Sequence, residues 1–153
     1  MLGYWDDEEK TAETFRDGWL HTGDLGILDD EGFLYVVDRK KDMIKSGGEN
    51  VASREVEEAL YELDAVAEVA VFGVSHPRWV EAVTAVVVLK DDASVTTDDI
   101  HAHAKQVLAT YKRPKYVVLA DSLPKNPSGK ILKRELRDQH GDIAGGDVAS
   151  EES

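Results

Sequence analysis

The sequence predicts a small α+β domain, with a β-hairpin before it and a polar tail behind it. Two segments, residues 66–74 and 82–89, are rich in β-branched side chains and apolar on both faces. Strands of that kind are buried on two sides or covered by helices. Two further segments each have a single apolar stripe at helical spacing. Over residues 43–139 the predicted order is hairpin, helix, strand, strand, helix, strand, loop, helix.

The first 18 residues do not resemble the beginning of a domain, and a hairpin is predicted after them. Residues 1–18 carry aromatic side chains among charges, without the periodicity of a buried helix. Asp29-Asp30-Glu31-Gly32 then separates two apolar runs, and such a segment is a hairpin signal. Because a lone hairpin is only marginally stable in water, we expect these strands to need a neighbour.

The segment Asp38–Val51 joins this hairpin to the rest of the chain. It combines a run of cations, a short apolar step and the pair Gly47-Gly48. Glycine has no Cβ, so another backbone or a narrow ligand can approach at this pair, and a positive φ costs little. Taken alone, the pair predicts a basic hairpin with a glycine turn.

Two helices are predicted from caps and apolar stripes. Ser53 is the predicted N-cap of the first helix. Thr96 and Asp99 predict a capping box at the start of the second. His103 lies on the apolar side of this second helix, where we expect a partly buried histidine rather than a ligand.

The end of the chain yields three more predictions. Pro114 ends the second helix, because proline disfavours helical conformation in the residue before it. Residues 116–120 predict a third strand and residues 131–139 a short basic helix, with a loop of turn-forming residues between them. Residues 140–153 are small, polar and acidic, and we expect a disordered tail.

The composition excludes several classes of function. The chain of 153 residues has no cysteine, which rules out a disulfide scaffold, a thiolate metal site and a cysteine nucleophile. Its five histidines lack zinc-site spacing, and no apolar run approaches the length of a membrane span. The net charge of -13 argues against nucleic acid as a partner, because phosphate binding needs clustered cations. We expect a cytoplasmic protein, either from a salt-loving source or of an ordinary acidic type.

Three sequence blocks, in this order, resemble the adenylate-forming superfamily of acyl-CoA synthetases, adenylation domains and beetle luciferases. The blocks are GWLHTGD at residues 18–24, DRKKDMIKSGGENV at residues 38–51 and LPKNPSGK at residues 123–130. The resemblance implies that residues 1–40 are the last segment of a large AMP-binding domain. It implies that residues 41–139 form the C-terminal lid domain, a short mixed sheet with flanking helices.

The resemblance also implies the chemistry of the whole enzyme. In this family a carboxylic acid attacks ATP to give an acyl-adenylate and pyrophosphate, and the thiol of coenzyme A then displaces AMP. ATP/AMP and coenzyme A are therefore the implied substrates. The phosphate loop, the acid pocket and the Mg2+ site belong to the large domain, and nothing in this sequence corresponds to them.

Three residues match the nucleotide and catalytic positions of the family. Lys130 matches the lysine of the adenylation step, and Asp24 and Arg39 match the residues that contact the nucleotide. An ammonium can stabilise charge between carboxylate and α-phosphate, and a carboxylate can accept both ribose hydroxyl hydrogens. Without the surrounding blocks they would be a loop lysine, a turn-capping aspartate and a surface cation.

Further positions match the moving parts of the family. Lys41 matches the hinge about which the lid rotates, and Gly47 and Gly48 match the channel for the pantetheine arm of coenzyme A. Lys45 and Arg54 are either contacts for coenzyme A phosphates or plain surface charges. One departure is Val80, which stands before Glu81 where relatives commonly show glycine.

The sequence thus predicts the C-terminal part of an ATP-dependent acid–CoA ligase, inactive without an N-terminal AMP-binding core. That core is the expected partner, either supplied by another chain or lost. The alternatives are a non-catalytic binding or regulatory module that retains the lid fold, and a plain remnant. The acyl specificity lies in the core and is not predicted.

Overall fold

The computed structural model describes residues 1–145. Contacts divide the chain into two units, Met1–Lys41 and a second unit that begins at Asp42. Each unit has its own sheet or sheets. Residues 146–153, which belong to the predicted tail, lie outside the described residues.

The first unit consists of one short helix and two small antiparallel pairs of strands. Its elements are α1 (Glu8–Thr14), β1 (Phe15–Arg16), β2 (Trp19–Leu20), β3 (Asp24–Leu28) and β4 (Leu34–Arg39). Strand β1 pairs with β2, and β3 pairs with β4, so the predicted hairpin is confirmed. Helix α1 has no buried residue, which agrees with its lack of apolar periodicity.

The turn of the β3–β4 hairpin is closed by one carboxylate. Asp29 accepts hydrogen bonds from the backbone N–H groups of Phe33 at 2.8 Å and Glu31 at 3.0 Å. These bonds, that of Phe33 first, hold the pKa of Asp29 below its ordinary value. The hairpin is therefore specified by its turn, because its strands bury little in this unit. Its large apolar side chains, each more than half exposed, are Ile27, Leu28, Phe33, Leu34, Tyr35 and Val36.

The second unit is a mixed sheet with helices. Its elements are β5 (Ile44–Ser46), β6 (Glu49–Val51), α2 (Ser53–Tyr61), β7 (Val66–His76), β8 (Val80–Leu89), α3 (Thr97–Val107), a 3-10 turn (Thr110–Lys112), β9 (Tyr116–Leu119) and α4 (Lys133–His140). This order confirms the predicted succession of hairpin, helix, strand, strand, helix, strand, loop and helix.

The sheet is organised around β8, which has three partners. Strand β7 pairs with it antiparallel from Val66↔Leu89 to His76↔Val80. Strand β9 runs parallel to it, whereas β5 pairs with it in the ladder only at its first residue, through Ser46↔Val80. Strand β6 completes the order β6-β5-β8-β7.

Both faces of the β7–β8 ladder are buried, as the sequence predicts. The first core, which includes Val69 and Val71, lies on the face with Leu60 of α2 and Ile100 of α3. The second core lies on the opposite face; its buried members are Ala70, Phe72, Val74, Ala82, Val86, Leu123 and Leu136. The alternation of neighbouring residues between two cores explains why most residues of these strands are apolar.

The two predicted helix caps have opposite outcomes. The capping box of α3 is confirmed, because Thr96 accepts from the Asp99 backbone N–H while the Asp99 carboxylate accepts from Thr96 N at 2.9 Å. The Ser53 cap is wrong, since the N-cap of α2 is Ala52 and no side chain caps it. Ser53 is fully buried, and its hydroxyl accepts a hydrogen bond from Lys133 Nζ at 2.7 Å instead.

The prediction of a disordered tail from residue 140 is wrong for the residues that the structure describes. Ile143 packs against the second core, and Ala144 is only 4% exposed. Residue 140 itself, His140, is the last residue of α4 and lies beside Phe72 with ring centroids 6.4 Å apart. The segment that follows α4 therefore buries apolar side chains within the second unit.

Candidate functional site

Asp24 and Arg39, both predicted nucleotide contacts, lie directly opposite each other in the β3–β4 ladder. Arg39 Nε lies 3.4 Å from Asp24 Oδ1, with side chains 45% and 33% exposed. The Asp24 backbone N–H donates to the Thr22 hydroxyl at 3.1 Å, and Lys40 N donates to Gly23 O at 2.8 Å. The hairpin therefore presents a carboxylate and a guanidinium side by side to solvent.

An open recess of about 580 Å³ lies at the same end of this hairpin. Its lining consists of Thr22, Gly23, Arg39, Lys40 and Lys41. The volume is within the usual range for small-molecule sites, and three of the five lining residues are cations. The recess therefore favours an anionic ligand. It brings the predicted nucleotide residue Arg39 together with the predicted hinge residue Lys41.

The chain is anchored immediately after Lys41. Lys41 is exposed and is the last residue of the first unit. Asp42, the next residue, accepts a hydrogen bond from Arg137 Nη2 of α4 at 3.0 Å, and its side chain is 15% exposed. The second unit thus fixes its own first residue by an ion pair.

Gly47 and Gly48 form the two-residue turn of the β5–β6 hairpin, between Ser46 and Glu49, which pair with each other. Their φ angles are 61° and 90°. A two-residue hairpin turn with positive φ at both positions is the type I′ turn, for which Gly-Gly is a preferred pair. A Cβ on Gly48 would meet nothing within 4 Å, and one on Gly47 would lie 3.7 Å from Trp79. Glycine is therefore favoured here by the positive φ angles, since the described residues leave room for a side chain.

Two residues that the sequence does not single out hold this glycine turn against β8. Gly47 N donates to Trp79 O at 3.0 Å, and Lys45 N donates to the Glu81 carboxylate at 2.7 Å. The Glu81 side chain crosses β7 at Gly73, where a Cβ would lie 2.9 Å from its carboxyl carbon. The available signal was a glutamate at the start of an apolar strand, next to a strand with an isolated glycine.

Lys45 and Arg54 are the two suggested contacts for coenzyme A phosphates, and Arg54 forms an ion pair within its own helix. Its guanidinium pairs with Glu58 one helical turn later, at 2.8 Å. Lys45 is exposed on β5. Cations also surround Trp79, whose ring stacks on His76 at 4.2 Å and has Lys115 Nζ 4.7 Å from its centre.

Lys130 lies at the end of a closed loop between β9 and α4. An isolated β-bridge joins Lys125 and Ile131, and Gly129 has a φ of 82°. The Asn126 carboxamide oxygen accepts from Lys130 N at 2.8 Å. Lys130 itself is exposed. Its backbone is thus fixed while its ammonium is available to a ligand.

Helix α4, which follows Lys130 and buries Leu136 in the second core, is linked to helix α2 by an ion pair. Lys133 Nζ lies 2.8 Å from Glu57 Oε1 of α2, and both side chains are 18% exposed. The same Glu57 oxygen accepts from Val71 N of β7 at 2.8 Å. The ammonium of Lys133 is therefore held in an ion pair within the domain, whereas the ammonium of Lys130 is exposed.

Residues 1–145 contain no group of three or more His, Cys, Asp or Glu that could hold a metal ion. In the same range, no helix is long and apolar enough to cross a membrane.

Part of the second unit matches a known protein family. Residues 55–130 match the family described as the AMP-binding enzyme C-terminal domain. These residues belong to that family. The resemblance to acyl-CoA synthetases and the lid fold predicted from the sequence are thereby confirmed.

The relatives of this AMP-binding C-terminal domain are much longer enzymes. The chain is 50% identical over 139 residues to the long-chain-fatty-acid–CoA ligase of Bacillus subtilis (strain 168), which covers 91% of the chain and 25% of the relative. It is 50% identical over 141 residues to a feruloyl-CoA synthase of an Amycolatopsis species, covering 92% and 29%. The chain thus spans roughly a quarter of the relatives that it matches.

Solved structures of similar enzymes also match this chain, again over about a quarter of their length. ATP-bound MatB from Rhodopseudomonas palustris is 40% identical, with a TM-score of 0.86 over 93% of this chain and 28% of that chain. The o-succinylbenzoate-CoA synthetase of Bacillus subtilis, in complex with its acyl-adenylate intermediate, is 43% identical, with a TM-score of 0.82 over 89% and 28%.

Proposed function

We propose that the chain supplies the C-terminal part of an ATP-dependent acid–CoA ligase. In the first step a carboxylate oxygen attacks the α-phosphorus of ATP, and pyrophosphate leaves. In the second step the thiol of coenzyme A attacks the acyl carbon, and AMP leaves. The observation that carries this proposal is the fixed loop that presents Lys130, in a chain that also pairs Asp24 with Arg39 beside a cationic recess.

The paired residues of the hairpin supply the proposed nucleotide contacts. The Asp24 carboxylate can accept the two vicinal hydroxyl hydrogens of a ribose. The Arg39 fork can donate to hydroxyl or phosphate oxygens, and its separation of 3.4 Å from Asp24 keeps both groups within reach of one sugar. The three cations of the recess support an anionic ligand.

Lys130 is the proposed catalytic residue of the adenylation step. Negative charge on the α-phosphate and the attacking carboxylate makes an ammonium beside them favourable. The fixed backbone and exposed side chain support this role, because only the flexible stem needs to be ordered when the substrate binds. Lys41 is the proposed hinge, and Gly47 and Gly48 are the proposed lining of the coenzyme A channel.

The proposed partner is an N-terminal AMP-binding core, encoded by the same gene or by another. The exposed apolar side chains of the β3–β4 hairpin support this, since each gains about 1.5–3 kcal/mol when it is fully buried. ATP and coenzyme A are the proposed substrates of the complete enzyme, and the core is the proposed location of Mg2+. The acid is left open, because the relatives are named for acids as unlike as long-chain fatty acids and ferulate.

A chimera tests this function. The chain replaces the matched C-terminal segment of the Bacillus subtilis long-chain-fatty-acid–CoA ligase, and pyrophosphate release and acyl-CoA formation are measured with a long-chain acid. We expect both activities from the chimera and neither from the 153-residue chain alone. A folded chimera without activity, beside an active parent ligase, would favour a non-catalytic module.

Lys130→Ala in that chimera separates the two steps. We expect adenylation to fall at least about 100-fold, while thioester formation from supplied acyl-adenylate is largely retained. Lys90→Ala, which removes an exposed lysine at the end of β8, is the matched control and should leave both rates unchanged. Equal loss of both steps in Lys130→Ala would contradict the assigned role.

A further inference from the structure

The carboxamide of Asn126 is at the centre of the loop that presents Lys130. Its oxygen accepts three hydrogen bonds: from Ser128 N at 3.1 Å, from the Ser128 hydroxyl at 2.8 Å and from Lys130 N at 2.8 Å. We propose that Asn126 is a positioning residue for Lys130 in the adenylation step. This inference rests on the proposed function, because it assumes that Lys130 is the residue that must be positioned.

Asn126 holds the backbone of Lys130 at both of its polar groups. The Asn126 oxygen accepts from Lys130 N, and the Asn126 backbone N–H donates to Lys130 O at 2.9 Å. The Asn126 carbonyl in addition accepts from Gly129 N at 2.9 Å, which closes the turn. Asn126 therefore constrains the position of the Lys130 backbone, and with it the direction in which the Lys130 side chain leaves the loop.

Asn126 is less exposed than the four residues that follow it in the loop. Pro127, Ser128, Gly129 and Lys130 are all exposed, whereas Asn126 is half-buried. The ends of the loop are fastened separately, by the Lys125–Glu68 ion pair at 2.6 Å and by the Lys133–Glu57 pair described above. These pairs fix the two ends, and the Asn126 carboxamide is the side chain that, together with backbone hydrogen bonds, fixes the turn between them.

The physical consequence is preorganisation. A reacting group that is misplaced by about 1 Å can lose about 100-fold in rate, so a loop that samples several shapes would hold the ammonium poorly. With Asn126→Ala the donors of Ser128 and Lys130 bind water instead. With Asn126→Asp a carboxylate oxygen of nearly the same shape accepts the same three bonds.

Hydrogen exchange in the full chain is the first measurement. In Asn126→Ala we expect the amides of Ser128 and Lys130 to exchange at least about 10-fold faster, with the rates of the β7–β8 ladder unchanged. Asn126→Asp should restore protection. Ser122→Ala, an exposed change in the same connection, is the control and should alter neither amide. Unchanged exchange in Asn126→Ala would overturn the proposal.

Kinetics of the chimera give the second measurement. We expect Asn126→Ala to lower kcat of adenylation about 10- to 100-fold with little change in KM for ATP, and to spare thioester formation. Asn126→Asp should recover part of the rate. If Lys130→Ala abolishes adenylation and Asn126→Ala does not lower it, only the positioning inference fails. If Lys130→Ala itself leaves adenylation intact, the proposed function of that lysine fails.

Discussion

The ammonium of Lys133 in α4 lies 2.8 Å from the carboxylate of Glu57 in α2, although the two helices are far apart in the sequence. Glu57 also accepts the backbone N–H of Val71 on the edge strand β7. Lys133 in turn donates to the buried Ser53 hydroxyl at 2.7 Å. This pair therefore fixes two helices and the edge of the sheet together.

We expect Lys133→Met to lower the free energy of unfolding by about 2 kcal/mol. The substitution keeps most of the apolar stem but leaves the Glu57 carboxylate, 18% exposed, without its cation. Urea unfolding followed by circular dichroism measures the change. Glu58→Ala is the matched control, because it breaks the exposed Arg54–Glu58 pair of the same helix and should cost less than about 1 kcal/mol. Equal losses in the two variants would show that burial of the pair is unimportant.

We expect Val80→Gly to stabilise the protein by about 1 kcal/mol. Val80 has a φ of 70°, in the left-handed region that β-branched residues strongly disfavour. Its side chain is 66% exposed, so little packing is lost. The gain is less than the full strain, because glycine also makes the unfolded chain more flexible.

The melting temperature of Val80→Gly is the readout. Asp92→Gly is its control, since Asp92 has a φ of 65° but aspartate tolerates this region better than valine does. We expect a smaller gain there. A lower melting temperature for Val80→Gly would show that the valine contributes contacts worth more than its strain.

We expect part of the acid sensitivity of the fold to come from Asp99. The hydrogen bond from the Thr96 hydroxyl, and then that from Thr96 N, hold the pKa of Asp99 below its ordinary value of 3.8. The stability that this carboxylate contributes is therefore present above pH 3.8 and is lost as the pH falls through the lower pKa of the folded state. Asp99→Asn should reduce stability at neutral pH and flatten its decline below pH 4.

Urea midpoints between pH 7 and pH 3 measure this dependence. Asp98→Asn, the neighbouring exposed carboxylate in the first turn of α3, is the control. A parallel decline with pH in the native protein and in Asp99→Asn would exclude Asp99 as a source of the acid sensitivity.

The architecture of the second unit is predictable because its strands differ so clearly from its helices. Residues such as Val69 and Phe72 alternate between two cores, and this makes the middle of β7 apolar on both faces. The capping box at Thr96 is predictable because its two partners are three residues apart. Features that depend on residues close in the sequence, or on the periodicity of a helix or strand, are thus predictable from the sequence.

Features that depend on distant parts of the chain were missed. Ser53 has the chemistry of an N-cap, but Lys133, 80 residues later, occupies its hydroxyl. Val80 follows the short turn between β7 and β8, and no pattern in the sequence indicates its positive φ. The loop of Lys130 was recognised by its turn formers, but the three hydrogen bonds to Asn126 follow from the shape of the loop and not from its composition.

We expect Asp24 and Arg39 to act as one unit in nucleotide binding. In the chimera, Asp24→Ala or Arg39→Ala should raise KM for ATP about 10-fold, which corresponds to about 1.4 kcal/mol. The two residues face each other in the ladder at 3.4 Å, so each orients the other. The double variant should therefore lose much less than the sum of the single losses.

A double-mutant cycle on KM for ATP decides whether this coupling exists. Arg16→Ala, an exposed arginine of β1, is the control and should leave KM unchanged. If the two losses add, Asp24 and Arg39 bind separate parts of the nucleotide, and the ion pair of the free chain opens when ATP binds. If neither variant changes KM, the pair only stabilises the hairpin. Unfolding measurements on the same two variants distinguish that outcome, because a purely structural pair would lower stability without any change in KM.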